Sequence, residues 1–280
     1  MLDNKGVTKS VAIIGCGWLG QALAQFLLAH QYSVIGTSQS QERLNLISSL
    51  GATPECLRLP INDNDECQYQ CFNCHSLVIA IPPQFRSGNI NYPENIAQIV
   101  SHAKKGQVKQ IILINSTAIY GGLVGKVDEN AVLNLSQEKV TLLQQAESYV
   151  LNSGLSAVSL RVAGLVGPNR SPRNFFKQGR VLKDPDAFSN LVHQYDVVQC
   201  IAGMIETPEN TGIYNLASKM RMSKQAFYQH AGLMIAESAL QTDCGPSLST
   251  SKLVISDKIR QALSIKFEYD DLLAWLNVTR

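Results

Sequence analysis

The chain has 280 residues, of which 45% are hydrophobic and 16% charged, and its formal net charge is +2. This length and apolar content suffice for one large α/β domain or for a core with an appended lobe. No basic block stands out, so the composition argues against a nucleic-acid partner. No apolar run reaches the length of a membrane span, and the first ten residues lack the pattern of a signal peptide. The sequence therefore predicts a soluble cytoplasmic protein with no membrane partner.

Apolar runs and amphipathic stretches alternate along the chain, as a doubly wound α/β fold requires. The predicted strands span residues 11–15, 33–37, 56–59, 77–81, 110–115, 156–162 and 213–216. The predicted helices between them span residues 18–30, 40–50, 64–74, 93–105 and 136–153. Residues 184–189 are a predicted loop, and residues 190–205 are predicted to begin extended and to become helical.

The regular alternation of apolar runs and amphipathic stretches ends after residue 217. Helices are predicted beyond it at 223–236, 258–263 and 270–278. This part cannot extend the parallel sheet much. We expect a dinucleotide-binding core at residues 9–168 and 190–217, and a small substrate-side lobe at residues 169–189 and 218–280. Such a lobe would close over the carboxyl ends of the strands, where ligands of these sheets bind.

A glycine-rich turn follows the first predicted strand. Residues 11–20 read VAIIGCGWLG, which gives Gly15, Gly17 and Gly20 the spacing G-x-G-x-x-G. In this pattern the first glycine permits the turn, the second lets a pyrophosphate approach, and the third lets the helix pack closely. The helix start offers N–H groups and a partial positive charge to the phosphates. The sequence predicts a Rossmann fold whose cofactor contacts include Gly15, Gly17, Trp18, Leu19 and Gly20.

The end of the second strand favours NADP over NAD. NAD-binding units usually place an Asp or Glu there to hold the ribose 2′-hydroxyl. Here Thr37 or Ser38 occupies the position, Glu42 lies on the next helix, and Arg43 follows it. Hydroxyl groups with a nearby arginine suit a 2′-phosphate, so Thr37, Ser38 and Arg43 are predicted at the cofactor. A solvated helix residue is the alternative interpretation of Arg43.

The fourth predicted strand ends in the segment AIPPQFR. Pro82 and Pro83 stop this strand, and we expect them beside the adenosine or ribose half of the cofactor. Ala80 and Ile81 are predicted to give backbone contacts to the same half. Ala80, Ile81 and Pro82 therefore complete the predicted cofactor-binding set.

Three of the seven cysteines, Cys67, Cys71 and Cys74, are spaced C-x3-C-x2-C, and residues 71–75 read CFNCH. The first spacing occurs at iron–sulfur clusters of radical enzymes, and the second at c-type haem attachment. Haem attachment of that kind needs export, and the cluster motif belongs in a barrel loop. At positions i, i+4 and i+7 the three cysteines share one face of the predicted helix. The sequence therefore predicts no metal site.

Further motifs follow the glycine turn in a recognisable order. They read IILINSTAIYG from residue 111, LRVAGLVGPNR from residue 160, NLVHQYDVV from residue 190 and GIYN from residue 212. Together with GCGWLG, they resemble the extended short-chain dehydrogenase/reductase family, also called the NAD-dependent epimerase/dehydratase family. The resemblance is to its atypical YeeZ-like branch and covers residues 10–280.

The resemblance implies an NAD(P)-binding oxidoreductase, epimerase or dehydratase that acts on a small polar substrate. It implies that Ser116 hydrogen-bonds the reacting carbonyl or hydroxyl, and that Tyr120 lies in the substrate pocket near the reacting carbon. It also implies a structural role for His193. Tyr120 as sole proton donor stays open, although without a nearby cation we expect the pKa of its phenol to stay high.

The chain departs from the family at the usual proton donor. That donor is a Tyr followed four residues later by a Lys, which lowers the pKa of the phenol. None of the nine tyrosines here has a Lys at that spacing. When the segment is anchored on Ala146 and Glu147, the two positions fall on Lys139 and Leu143. Two functions therefore stay open: an enzyme, and a catalytically silent NADP-binding sensor or regulatory protein.

Some residues have two interpretations from the sequence. Arg170 and Arg173 either clamp a substrate phosphate or carboxylate, or are exposed loop arginines. Lys139 is either a replacement catalyst or a solvated helix lysine. The helix predicted at 136–153 is long enough to form the dimer helix used by relatives, which makes a homodimer an open prediction.

Overall fold

The computed structural model describes residues 9–62, 69–85, 88, 90–175, 182–232, 240–241, 247 and 249–278. The chain forms two compact units. Unit 1 comprises Met1–Asn115, Leu142–Ser159 and Ile201–Gly212, and unit 2 comprises Ser116–Thr141, Leu160–Cys200 and Ile213–Arg280. Within the described ranges, no helix combines the length and the apolar character needed to cross a membrane.

The strands are, in chain order, β1 (Ser10–Ile14), β2 (Ser33–Ser38), β3 (Thr53–Cys56), β4 (Ser76–Ile79), β5 (Gln110–Ser116), β6 (Gly125–Val127), β7 (Ser156–Val162), β8 (Gly164–Val166), β9 (Leu182–Lys183), β10 (Leu191–His193), β11 (Gly212–Leu216), β12 (Leu240–Gln241) and β13 (Lys252–Val254). The helices are α1 (Trp18–Ala29), α2 (Gln41–Ser49), α3 (Tyr92–Lys105), α4 (Glu138–Leu151), α5 (Gln194–Glu206), α6 (Lys224–His230), α7 (Asp257–Ala262) and α8 (Leu272–Val278).

Seven strands form one parallel sheet flanked by helices, in the order β3-β2-β1-β4-β5-β7-β11. At its centre, Ala12 of β1 lies opposite Ile35 of β2 and Leu77 of β4. These central strands are buried along almost their whole length, which explains why they read as continuous apolar runs. The predicted α/β fold with a doubly wound parallel sheet is confirmed.

Most predicted elements lie within two residues of their predicted bounds. The segment predicted at 190–205 begins as β10 and continues as α5, as expected. The third strand is displaced, because it spans Thr53–Cys56 rather than 56–59. Among the described strands this edge strand pairs with β2 alone, and its residues TPEC carry no apolar run that could fix its position from the sequence.

The helix predicted at 64–74 is wrong for the residues that the structure describes there. A three-residue 3₁₀ helix spans Gln70–Phe72, and residues 63–68, with Cys67, lie outside the described residues. The carboxylate of Glu55 accepts hydrogen bonds from the N–H groups of Gln70 (2.6 Å) and Cys71 (2.9 Å). This carboxylate, from β3, thus satisfies the first N–H groups of the turn, and the turn does not have to extend into a helix of greater length.

Cys71 and Cys74 are buried beside this turn rather than aligned on a helix face. The Sγ of Cys74 donates to the backbone oxygens of Cys71 and Ser76, both at 3.1 Å. Burial raises the pKa of both thiols, to about 11 for Cys74. Among the described residues, no group of three His, Cys, Asp or Glu side chains is placed to hold a metal ion.

Unit 2 contains a second apolar core and three short two-stranded parallel sheets, β10-β8, β12-β9 and β13-β6. Helix α6 begins at the N-cap Ser223, whose Oγ accepts from the N–H of Ala226, and the predicted residues 233–236 lie outside the described residues. The core is formed by Val166, Leu191, Phe227, Ala231, Leu272, Trp275 and Leu276. The predicted division into a dinucleotide-binding core and a substrate-side lobe stays a prediction.

Candidate functional site

The glycine loop of unit 1 is tightly packed at its first glycine. Gly15 has φ +87°, a backbone conformation that residues with a side chain rarely adopt. A Cβ on Gly15 would lie 2.8 Å from Cγ2 and 3.0 Å from the backbone nitrogen of Ile81. Both observations explain why glycine stands at the turn out of β1.

The other two glycines differ in what a side chain would meet. A Cβ on Gly20 would lie 3.0 Å from the oxygen of Gly15 and 3.1 Å from Cγ2 of Ile13, which confirms the close packing of helix on sheet. Among the residues that the structure describes, a Cβ on Gly17 would approach only the oxygen of Gly15, at 4.0 Å. The space before Gly17 is therefore open, and a cradle of this kind fits the pyrophosphate of a dinucleotide.

Helix α1 begins at this open position. Gly17 is its N-cap and has no side chain to cap the helix, and the first intrahelical bond runs from the N–H of Gln21 to the oxygen of Gly17 (2.8 Å). The first turn, with Trp18 and Leu19, carries no acidic residue. The positive end of the helix dipole at the loop is thus not neutralised by the helix itself. Contacts of Trp18, Leu19 and Gly20 with a cofactor stay predictions.

Thr37 holds the loop against the end of β2. Its Oγ1 accepts from the N–H of Gly15 (3.2 Å), and its backbone oxygen accepts from the N–H of Cys16 (2.9 Å). Only 2% of Thr37 is exposed. The structure therefore gives Thr37 a positioning contact with the loop, and its predicted contact with the cofactor stays a prediction.

The polar residues that follow gather at the start of α2. The Oγ of Ser38 accepts from the N–H of Ser40, and the Oγ of Ser40 caps α2 by accepting from the N–H of Arg43. Arg43 is exposed in the first turn, next to Glu42. Two hydroxyl groups and a guanidinium thus lie within five residues of the carboxyl end of β2.

The end of β4 lies beside the same loop. The N–H of Ala80 donates to the oxygen of Ile14 (2.8 Å), which keeps the chain in line with β1 for one residue beyond the strand. Ile81 packs against Gly15, and Pro82 is exposed. The structure thus brings Ala80, Ile81 and Gly15 together at the carboxyl edge of the sheet. Contacts of Ala80, Ile81 and Pro82 with a cofactor stay predictions.

Ser116 and Tyr120 lie in unit 2. Ser116 ends β5, and its Oγ caps the 3₁₀ helix Thr117–Tyr120 by accepting from the N–H of Ala118 (3.1 Å). Ser116 is half-buried, whereas Tyr120 is fully buried. Local hydrogen bonding thus fixes the position of Ser116 at the end of its strand.

The hydroxyl of Tyr120 belongs to a buried network. It donates to Oδ1 of Asn215 (2.8 Å) and accepts from Nη1 of Arg161 (2.8 Å). Asn215 makes two further hydrogen bonds. Its Nδ2 donates to the backbone oxygen of Ile255 (2.9 Å), and its N–H donates to Oε1 of Glu129 (2.7 Å). Arg161 and Asn215, which hydrogen-bond the phenol of Tyr120, are therefore side chains of one buried cluster.

The expectation that no cation lies near Tyr120 is wrong, because the guanidinium of Arg161 contacts its hydroxyl. The pKa of Tyr120 is nevertheless raised above 10, since burial outweighs the opposing effect of Arg161 and the hydrogen bond from Tyr120 to Asn215. The sequence interpretation missed Arg161 and Asn215. Both occur inside quoted motifs, LRVAG and GIYN, but nothing in either motif pairs them with Tyr120.

Three other candidates have contacts within unit 2. His193 is buried against the rings of Tyr269 and Trp275, and burial lowers its pKa to about 4, as expected for a structural imidazole. Arg173 donates to the backbone oxygens of Ala231 (3.2 Å) and Leu276 (2.6 Å), which ties helix ends together. Arg170 is exposed.

The positions that replace the usual Tyr–Lys pair differ in environment. Lys139 is exposed near the start of α4, and Leu143 is completely buried. Leu143 therefore serves the core of unit 1.

A family model described as NAD(P)H-binding matches residues 15–208. This range covers the glycine loop and most of the parallel sheet. The chain belongs to this NAD(P)H-binding family. Its match with Protein YeeZ of Escherichia coli (strain K12) is 30% identical over 271 residues, covering 95% of this chain and 98% of that protein.

Solved structures of the NAD-dependent epimerase/dehydratase family share the fold of this NAD(P)H-binding chain. The Bordetella bronchiseptica enzyme WbmG in complex with NAD has a TM-score of 0.76 at 16% identity, covering 98% of this chain and 94% of that one. UDP-glucuronic acid 4-epimerase from Bacillus cereus in complex with NAD has a TM-score of 0.71 at 18% identity, covering 94% and 96%. The predicted resemblance to this family and its YeeZ-like branch is confirmed.

Proposed function

We propose that the chain binds NADP(H) at the glycine loop and carries out oxidoreductase, epimerase or dehydratase chemistry on a small polar substrate. The observation that carries the proposal is the contrast within the loop. Neighbouring atoms exclude a side chain at Gly15 and crowd one at Gly20, whereas among the described residues a Cβ on Gly17 would approach only the oxygen of Gly15, at 4.0 Å. A bound pyrophosphate requires a loop that packs tightly against the sheet at one glycine and leaves room for the phosphates at another.

The preference for NADP rests on the start of α2. Ser38, Ser40 and Arg43 offer two hydroxyl groups and a guanidinium for a 2′-phosphate. An acidic side chain that accepts from a ribose 2′-hydroxyl would instead have to come from Glu42, one residue before Arg43 on the helix. The neighbours WbmG and UDP-glucuronic acid 4-epimerase were solved with NAD, and titration with both cofactors distinguishes the two preferences.

The purified chain should be titrated with NADPH and NADH while the intrinsic fluorescence of Trp18, inside the loop, is followed. We expect tighter binding of NADPH. The chain has a second tryptophan, Trp275, so Trp18→Phe is the control: this variant should lose the fluorescence change while calorimetry shows that it still binds NADPH. Equal or tighter binding of NADH would overturn the NADP preference but leave dinucleotide binding intact.

For the chemistry, we propose Ser116 and Tyr120 near the reacting carbon. Ser116 stands at the carboxyl end of β5, the edge of a parallel sheet at which ligands bind. Once a substrate is found by screening, Ser116→Ala and Tyr120→Phe should lower kcat and leave the affinity for the cofactor within about twofold. Unchanged turnover in both variants would contradict the enzyme assignment.

A second candidate function is a catalytically silent NADP-binding sensor or regulatory protein. The observation that favours it is the engagement of the Tyr120 hydroxyl by Arg161 and Asn215. A sensor would change its oligomeric state or partner binding when NADP is added, without exchanging hydride. Isotope exchange from the C4-deuterated cofactor into any product separates the two functions.

A homodimer is also proposed, through the exposed side of α3 and α4. A groove of about 790 Å³ lies there within unit 1, and Tyr149 at its edge is 47% exposed. It is lined by Ala97, Val100, Ser101, Lys104, Gln144, Ser148 and Tyr149 among others. Light scattering of the purified chain and of Tyr149→Arg should give a dimer and a monomer, respectively; a monomer in both would overturn the proposal.

A further inference from the structure

Lys252 reaches the residue that follows Ser116. It begins β13, and its Nζ donates to the backbone oxygen of Thr117 at 2.8 Å. Among the described residues this oxygen is the one hydrogen-bond acceptor of its ammonium group, which carries three donors. On β6 the position opposite Lys252 is Gly125, where a Cβ would meet no atom of the described residues within 4 Å. Among the described residues, Lys252 thus has donors that no acceptor takes up.

The charges around Lys252 have the same sign as its own. Lys139, near the start of α4, and Lys224, at the start of α6, both act on it. Burial, and then these two lysines, lower the pKa of Lys252 from 10.5 to about 8. Lys224 is partly balanced by Asp184, at 3.6 Å, and donates to the oxygen of Lys183. An ammonium that is partly buried among like charges is stabilised by an anion.

We propose that Lys252, assisted by Lys139 and Lys224, binds an anionic group of the substrate, a carboxylate or a phosphate, next to Ser116. This inference rests on the proposed function and deepens it, because it names the class of substrate. A bound anion would supply the counter-charge that Lys252 lacks among the described residues. It would also place the reacting part of the substrate at the end of β5.

Lys258 provides a matched control in the same unit. Its Nζ also donates to a backbone oxygen, that of Ile213, at the same distance of 2.8 Å. Unlike Lys252, it is exposed and lies 4.6 Å from the ring centroid of Tyr214. If the only role of Lys252 were to bind a carbonyl, the two lysines would respond alike to an added anion.

The experiment follows the lysine Cε signals of the ¹³C-lysine-labelled full chain by NMR. Inorganic phosphate and malonate are added separately, with and without saturating NADPH, against chloride at matched ionic strength. We expect one of the two probes to raise the pKa of Lys252 by about one unit. Lys252→Met should weaken binding of that probe at least about tenfold, and Lys258→Met by less than about twofold.

The probe that acts identifies the anion: phosphate alone indicates a phosphorylated substrate, and malonate alone a carboxylate. A pKa of Lys252 that neither probe changes beyond chloride overturns the inference, and NADPH binding in the same sample would leave the proposed function standing. A response of Lys252 in a chain that does not bind NADPH would support the anion site and contradict the proposed cofactor.

Discussion

The glycine loop and the Tyr120 network both lie at residues that family motifs single out, yet they are built in opposite ways. In the loop, the protein leaves space before Gly17 and brings a helix start to it. In the network, Tyr120, Arg161 and Asn215 are buried and hydrogen-bond one another. The loop is arranged for a ligand to approach, whereas the network already satisfies its own polar groups. The comparison teaches that residues of a family motif can leave room for a ligand, as Gly17 does, or be held by neighbouring side chains, as the hydroxyl of Tyr120 is.

The largest expected effect is that of Gly15→Ala. An alanine would have to adopt φ +87°, and its Cβ would lie 2.8–3.0 Å from Ile81. We therefore expect the free energy of unfolding to fall by about 2–4 kcal/mol and NADPH binding to be lost. Gly51→Ala is the control, because Gly51 has φ +91° but a Cβ there would meet no atom of the described part of the chain within 4 Å. It should cost about 1–2 kcal/mol by urea unfolding and leave binding unchanged. Equal losses in both variants would mean that packing against Ile81 is not what shapes the loop.

Tyr120→Phe should have the next largest effect. Removing the hydroxyl leaves buried groups of Arg161 and Asn215 without this partner, which should lower the free energy of unfolding by about 1–3 kcal/mol. The control is Tyr195→Phe, since Tyr195 is 46% exposed. Urea unfolding of both variants measures the difference. A Tyr120→Phe variant as stable as Tyr195→Phe would show that the network is not the stabilising element that its geometry indicates.

Two buried titratable groups of unit 2 should have opposite effects on stability. Burial lowers the pKa of His193 from 6.5 to about 4. Between these two pH values the unfolded chain binds more protons than the folded chain, so stability rises with pH. Burial raises the pKa of Asp196 from 3.8 to about 6, so the folded chain binds more protons there and stability falls as pH rises. Each slope is at most about 1.4 kcal/mol per pH unit.

Urea unfolding between pH 4 and 6.5 separates the two groups. Relative to the unchanged chain, His193→Gln should make the slope of stability against pH more negative, because the Asp196 contribution remains. Asp196→Asn should make it more positive. The same slope in all three proteins would contradict the burial of these groups.

The parallel sheet could be predicted from the sequence because its central strands are buried on both faces and read as uninterrupted apolar runs, as at residues 11–14. The edge strand β3 and the turn at Gln70–Phe72 could not be placed, since a backbone pairing and the carboxylate of Glu55 determine them. Contacts between residues far apart along the chain fix these features, and no local sequence pattern indicates them.

The candidate site divides in the same way. The glycine loop is a local motif, and its packing follows from spacing within six residues. The partners of Tyr120 are 41 and 95 residues away, and Thr117 is 135 residues from Lys252. Arg161, Asn215 and Lys252 became candidates only when the fold placed them together.

The smallest change in cofactor affinity is expected for a substitution of Arg43, which is exposed at the start of α2. Arg43→Ala should weaken NADPH binding by about fivefold, since it removes a charge from the proposed 2′-phosphate position but leaves Ser38 and Ser40. NADH affinity should not change, because NADH has no such phosphate. Arg58→Ala removes an equal charge from an exposed position in the same unit and should change neither affinity. Calorimetric titration of the variants with both cofactors measures these differences. If Arg43→Ala weakened NADPH and NADH equally, Arg43 would act through the general charge of unit 1 rather than through recognition of the phosphate.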